Sequence, residues 1–260
     1  MKKEHWDGGE YRRVAFPQKQ INSAYLKNFK WFGHEHVLDI GCGDGTTTIE
    51  IAKQVPQGRV LGIDASPSMI DAALLIQDVP NLHFELRNAQ DIAFEDQFDV
   101  ATSFFCMQWV PDKKGTFQKI ATALKARGQF LMIATLPHPH LPEIRKELLA
   151  TEQWKSYFSN YLDPLRFIVD HQYKQYTQEA NLKVIQYNAV PAPISFQNYR
   201  SFFDFMAQMT PHLSCLPEAT LKETFMHDLL AKYVQIYPQK IDGSYELTYA
   251  LAQLHAFKEA

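Results

Sequence analysis

The sequence predicts an α/β fold, a doubly wound and mainly parallel sheet carrying a helical lid. Three observations point there. Short apolar runs of strand length alternate with helical stretches between residues 37 and 135, the rhythm of βαβ units. The first run stops at a cluster of glycines, as a buried strand does where a turn follows. Beyond residue 135 the alternation gives way to stretches rich in proline and aromatic residues.

Taken in order, residues 14–32 space their apolar groups at helical intervals, and residues 37–40 read as the first strand. Residues 46–54 read as a helix and residues 59–63 as a second strand. Ser66 followed by Pro67 offers an N-cap with proline at the first helical position, opening a helix to about residue 77. Strands follow at 82–86 and 98–103, a helix at 112–124, and a fifth strand at 129–135 after Gly128. Residues 176–180 and 182–190 read as one more helix and strand, residues 195–238 as helical, and residues 245–257 as a last strand. The expected organisation is one domain spanning 1–260. Its core covers about 34–135, 176–192 and 244–258, and its helical lid insertions cover about 136–175 and 193–243.

Composition narrows the function. At 260 residues the chain buries a sizeable core. Its 46% apolar and 21% charged residues are those of a globular protein. A net charge of −3 gives no global field drawing in nucleic acid or an anionic membrane. Three widely spaced cysteines, Cys42, Cys106 and Cys215, form no CxxC pair, so no metal site is expected. No apolar run approaches the roughly 20 residues that span a bilayer, and the N-terminus is charged. A cytoplasmic chain, monomeric or a weak homodimer, is expected.

The sharpest local signal is Asp39-Ile40-Gly41-Cys42-Gly43-Asp44-Gly45 at the end of the first strand. Glycines there let the backbone turn tightly and let a ligand press against the main chain. In a doubly wound sheet ligands sit at the carboxyl ends of the strands, where this loop falls. The spacing is GxGxG, not the GxGxxG of a pyrophosphate-binding fold; Thr46 stands where that fold places its third glycine. Asp39 would repel two phosphates, whereas it suits an ammonium group. Asp64 closes the second strand, where a carboxylate accepts from ribose hydroxyls.

This set resembles the class I S-adenosylmethionine-dependent methyltransferase family, whose first motif is a strand followed by DxGxGxG. The resemblance implies S-adenosyl-L-methionine as cofactor, with Gly41, Gly43 and Gly45 shaping the pocket for its methionine part and Asp64 on its ribose. Family members often carry an aspartate for the adenine amino group after the third strand; Asn88 stands there, and its carbonyl oxygen can accept the same bond. Cys42, Ala65, Ala89 and Phe104 flank these positions and join the expected cofactor set, as do Met69 in the helix after the second strand and Tyr11 in the N-terminal arm.

The segment after the fourth strand, 103–112, carries Gln108-Trp109. It resembles two groups that methylate small carboxylic acids, the trans-aconitate methyltransferases with Gln-Trp and the juvenile hormone acid methyltransferases with His-Trp. Tyr11 followed by Gln18 matches a Tyr and a Gln of the latter, in which that Gln binds carboxylate. The resemblance implies Gln18 and Trp109 as the catalytic contacts and a small-molecule carboxylic acid as the partner.

The chemistry agrees. A carboxylic acid with a pKa of about 4 is already an anion at neutral pH and needs no general base, whereas an alcohol or amine would call for a base or a metal. The expected reaction is methyl transfer to the carboxylate of a small or lipid-like acid by in-line displacement. Methylation of a carrier-protein-bound malonyl group is an alternative, since those enzymes also often show Gln-Trp. A nicotinamide-dependent oxidoreductase is the alternative from another class, opposed by the missing GxGxxG. Aromatics between Trp154 and Phe205 either line an apolar acceptor pocket or pack the lid.

Overall fold

Strand β1, His36–Ile40, is buried on both sides along nearly its whole length, as a central parallel strand must be. The turn leading into it is fixed by the buried Glu35, whose carboxylate accepts the N–H groups of Phe32, Gly33 and His34 at 2.6, 2.9 and 3.0 Å. The computed structural model describes residues 16–76 and 78–260. In chain order its helices and strands begin with α1 (Phe16–Lys27), β1, α2 (Thr46–Gln54), β2 (Arg59–Asp64), α3 (Pro67–Leu74) and β3 (Leu82–Leu86). Then come β4 (Phe98–Phe104), α4 (Lys113–Ala123), β5 (Leu124–Thr135), α5 (Leu141–Leu149), α6 (Asp170–Glu179) and β6 (Leu182–Pro191). The chain ends with β7 (Ile194–Phe196), α7 (Tyr199–Gln208), α8 (Ala219–Ile236), β8 (Tyr245–Leu247) and β9 (Ala250–Lys258).

Two compact units emerge. The larger comprises residues 16–136 together with Leu165–Val190 and Leu251–Ala260. Its seven-stranded sheet runs β3-β2-β1-β4-β5-β9-β6. Strands β3, β2, β1, β4 and β5 run parallel to one another, and β9 runs antiparallel to β5. The order reverses between β1 and β4, the switch point at which an α/β sheet opens a crevice. Helix α1 packs on α2, and α4 on α6. The smaller unit comprises Pro137–Pro164 and Pro191–Ala250. In it α5 and α7 pack on α8, beside the two-stranded antiparallel ribbon β7-β8.

Caps agree with the sequence. Ser66 accepts the Met69 N–H at 3.3 Å ahead of Pro67, and Asp112 accepts the Gly115 N–H at 2.9 Å at the start of α4. Two stretches differ from expectation. Residues 194–196, expected partly as helix, form strand β7, because Ile194 and Phe196 are buried while Ser195 is exposed, a period of two. The single last strand expected over 245–257 is two strands in separate sheets, broken between Leu247 and Ala250.

Candidate active site

The glycine loop is built as a cradle. Gly41, Gly43 and Gly45 take φ of +74°, +54° and +77°, the left-handed region that favours glycine. A Cβ on Gly41 would stand 2.4 Å from Cys106 Cβ. Neighbouring strand ends hold the loop: the N–H groups of Gly41 and Cys42 both donate to Ile63 O, at 2.8 and 3.0 Å. Asp64, half-buried at the end of β2, accepts the Gly43 N–H through Oδ2 at 3.0 Å and the Ser66 N–H through Oδ1 at 2.9 Å. Its carboxylate thus ties the loop after β1 to the turn after β2.

Asp39 is 2% exposed and lines the cleft beside the loop. The hydroxyls of Thr48 and Thr102 donate to Oδ2 and Oδ1, each at 2.7 Å. Burial pushes its pKa from 3.8 up to about 6; the two threonine bonds oppose the shift, and the Asp64 carboxylate adds to it.

Gln18, Lys19, Asn22, Gly41, Cys42, Gly43, Asp44, Thr47, Phe104 and Phe105 line the same cleft. Asp44 pairs with the Lys19 ammonium at 3.1 Å. Burial acts to raise its pKa, but Lys19 and the bonds from Thr46 outweigh burial and leave it below the ordinary value. Burial lifts the Cys42 thiol well above its usual range, aided by Asp64 and Asp39, and lifts Cys106 to about 12. All three cysteines are free thiols. Among the described residues no group of His, Cys, Asp and Glu could hold a metal ion.

The structure therefore brings Gln18, Asp39, Gly41, Cys42, Gly43 and Phe104 around one cleft, with Gly45 and Asp64 joined to it through the loop. Met69 is buried in α3, one hydrogen bond beyond Ser66. Ala65 is exposed beside Asp64, and Ala89 is buried. Asn88 is exposed, and its Oδ1 accepts the Gln90 N–H at 2.8 Å, committing one lone pair to the turn after β3. Trp109 is half-buried on the turn after β4, five residues past Phe104. Tyr11 lies outside the described residues. The aromatics of the smaller unit pack on one another: Trp154 meets Phe225 edge-on at 5.1 Å and donates its indole N–H to Asp228 at 2.8 Å. Sequence reasoning gave no role to Thr48 and Thr102, which clamp Asp39, or to Asp44, which lines the cleft. Only strand register reveals Thr102, which faces Asp39 across β1 and β4.

An aminoacyl-nucleoside sulfonium suits these residues. The loop's glycines take conformations that side chains rarely adopt, and two carboxylates, Asp39 in the cleft and Asp64 joined to it through Gly43, are the chemistry that an ammonium group and ribose hydroxyls call for.

Comparison with known proteins points the same way. The family profile for a methyltransferase domain matches residues 32–189. Juvenile hormone acid O-methyltransferase of Drosophila melanogaster is 25% identical over 230 residues, 82% of this chain and 76% of that protein. Trans-aconitate 2-methyltransferase of Deinococcus radiodurans is 33% identical over 107 residues, 41% of this chain and 40% of that protein. A phosphoethanolamine N-methyltransferase of Haemonchus contortus, solved with S-adenosylhomocysteine, superposes with a TM-score of 0.64 at 18% identity, covering the whole of this chain and 60% of that one. That last likeness is one of fold.

Proposed function

The chain belongs to the methyltransferase family, and from that premise we propose that it methylates the carboxylate of a small or lipid-like organic acid. Its cofactor is S-adenosyl-L-methionine, which supplies an electrophilic methyl group when bound. The observation that carries the acceptor reading is the state of the titratable groups in the described cleft. Asp39 is bonded to two threonine hydroxyls, Asp44 is paired with Lys19, and the Cys42 thiol is held protonated. Asp44 and Cys42 are thereby unsuited to take a proton from an acceptor, and Asp39, whose pKa of about 6 would allow it, is in this reading engaged by the cofactor's ammonium group. An acceptor that arrives as an anion needs none of them.

The protein's part is then placement and exclusion of water. Gln18, buried in the cleft wall, offers an amide N–H to one carboxylate oxygen. Trp109 offers its indole N–H to the same group. Neutral donors orient the acid and leave its second oxygen nucleophilic, where a strong cation would quench it. Asp39 holds the cofactor's ammonium end, Asp64 its ribose, and the cleft face of Phe104 its flank. The names of the carboxyl-methylating relatives support this reading.

A screen of carboxylic acids with methyl-labelled cofactor tests it. Label is expected in at least one mono- or polycarboxylic acid. Transfer confined to amines or carbon acceptors would overturn the assignment.

A further inference from the structure

We propose that Gln108 is a positioning residue that presents the Trp109 indole to the acceptor. The inference rests on the reading of Trp109 given above and adds what holds that side chain in place.

The turn after β4 opens at Phe105, whose φ of +54° is a left-handed conformation that an aromatic residue adopts only when its surroundings impose it. Two bonds pin it. Its N–H donates to Ile133 O at 2.8 Å, and its carbonyl accepts the Gln108 side-chain N–H at 2.8 Å. Further on, Cys106 O accepts the Trp109 N–H at 2.9 Å and Met107 O accepts the Val110 N–H at 3.2 Å. From behind, the Arg166 N–H donates to Gln108 O at 2.7 Å, and the buried Lys113 ammonium donates to Val110 O at 2.8 Å. Carbonyls on both sides of Trp109 are thus held by neighbouring chain. Met107, Gln108 and Val110 are all buried, and Trp109 is the partly exposed member of the group.

Gln108 Oε1 is buried with no hydrogen-bond partner. An unsatisfied buried oxygen destabilises the fold, a penalty that an apolar residue of the same size would avoid. What the amide provides in return is its N–H on the Phe105 carbonyl. Glutamine and histidine both carry a side-chain N–H donor, while methionine fills similar space without one. A support of this kind lets a catalytic contact stay in its productive rotamer before the acceptor arrives.

The test uses the full chain labelled with 5-fluorotryptophan. Its four tryptophans give separate fluorine resonances, and Trp109→Phe assigns one of them. In Gln108→Met the Trp109 line is expected to shift and broaden while the other lines and cofactor affinity stay put. The kcat should fall on the order of tenfold to a hundredfold, as for a misplaced contact, with a smaller change in KM for the acid. Gln108→His is expected to restore both. If Gln108→Met fails to fold, Gln108→Leu, of similar volume and without a donor, gives the same readings. An unmoved Trp109 line, or a histidine variant no better than the methionine one, would overturn the proposal. The fluorine readings need no acceptor, so they judge Gln108 even where the acid screen returns no substrate.

Discussion

Asp39 and Thr102 are register partners on adjacent parallel strands, and the Thr102 hydroxyl donates to Asp39 Oδ1 at 2.7 Å. Thr48 completes the grip from α2. A buried carboxylate beside the cofactor loop is thereby kept oriented, yet it titrates close to neutrality. The expected behaviour of the site follows largely from this arrangement.

Replacing Thr102 with Val removes one donor to a buried carboxylate while keeping the shape of the side chain. A loss of about 1–3 kcal/mol is expected, larger at pH 8, where Asp39 is ionised, than at pH 5. Urea denaturation at the two pH values measures it. An equal loss at both would mean that the bond does not favour the ionised form.

Folding raises the Asp39 pKa from 3.8 to about 6, so the folded chain holds this proton more tightly than the unfolded chain. Ionised Asp39 therefore costs stability above about pH 6, and the cost fades as pH falls from 6 toward 3.8. Cofactor binding should show the opposite trend, because the ammonium end is attracted to the ionised form: affinity is expected to fall as pH drops through about 6. Calorimetric titration of S-adenosylmethionine between pH 5 and 8, set against Asp39→Asn, checks both the slope and its source. The variant should show a flat profile over that range.

Asp64 joins two loops, and in the proposed reading it binds the cofactor's ribose. Asp64→Asn keeps the shape but removes the charge behind those hydrogen bonds, which are worth about 1.5–3 kcal/mol each when charged. Cofactor affinity should fall at least tenfold or so. Asp64→Ala should cost more thermal stability than Asp64→Asn, because Gly43 and Ser66 both lose their acceptor in the alanine variant and only one of them does in the asparagine variant. Isothermal titration and thermal melting together separate the two effects.

Gly41→Ala meets Cys106 Cβ at 2.4 Å and forces a left-handed alanine. A destabilisation of about 1–3 kcal/mol from the backbone alone is expected, together with lost cofactor binding. Adding Cys106→Gly should recover part of it by removing the clash, leaving the φ strain. A double-mutant cycle measures that coupling; strict additivity would show that the two residues do not meet.

Much of this was legible in the sequence, for a local reason. The strand, the glycines and Asp39 are contiguous, and Asp64 ends the next strand, so one linear pattern contains the cradle. Ser66 and Pro67 announced their helix in the same way. The threonine clamp was hidden because Thr102 lies 63 residues from Asp39 and is brought alongside only by parallel pairing. Strand β7 was hidden because three residues carry too little periodicity to stand out beside the helix that follows. In the Gln-Trp pair, sequence drew attention to the aromatic partner; the bond from Gln108 to Phe105 depends on a backbone twist at Phe105 that residue type does not announce.

In the proposed reaction the methyl group ends on a carboxylate oxygen. The most direct measurement takes the labelled product of the purified chain and exposes it to mild alkali. A methyl ester hydrolyses and releases the label as volatile methanol, which is the expected result. Label that stays non-volatile, bound to nitrogen, carbon or an ether oxygen, would contradict the account.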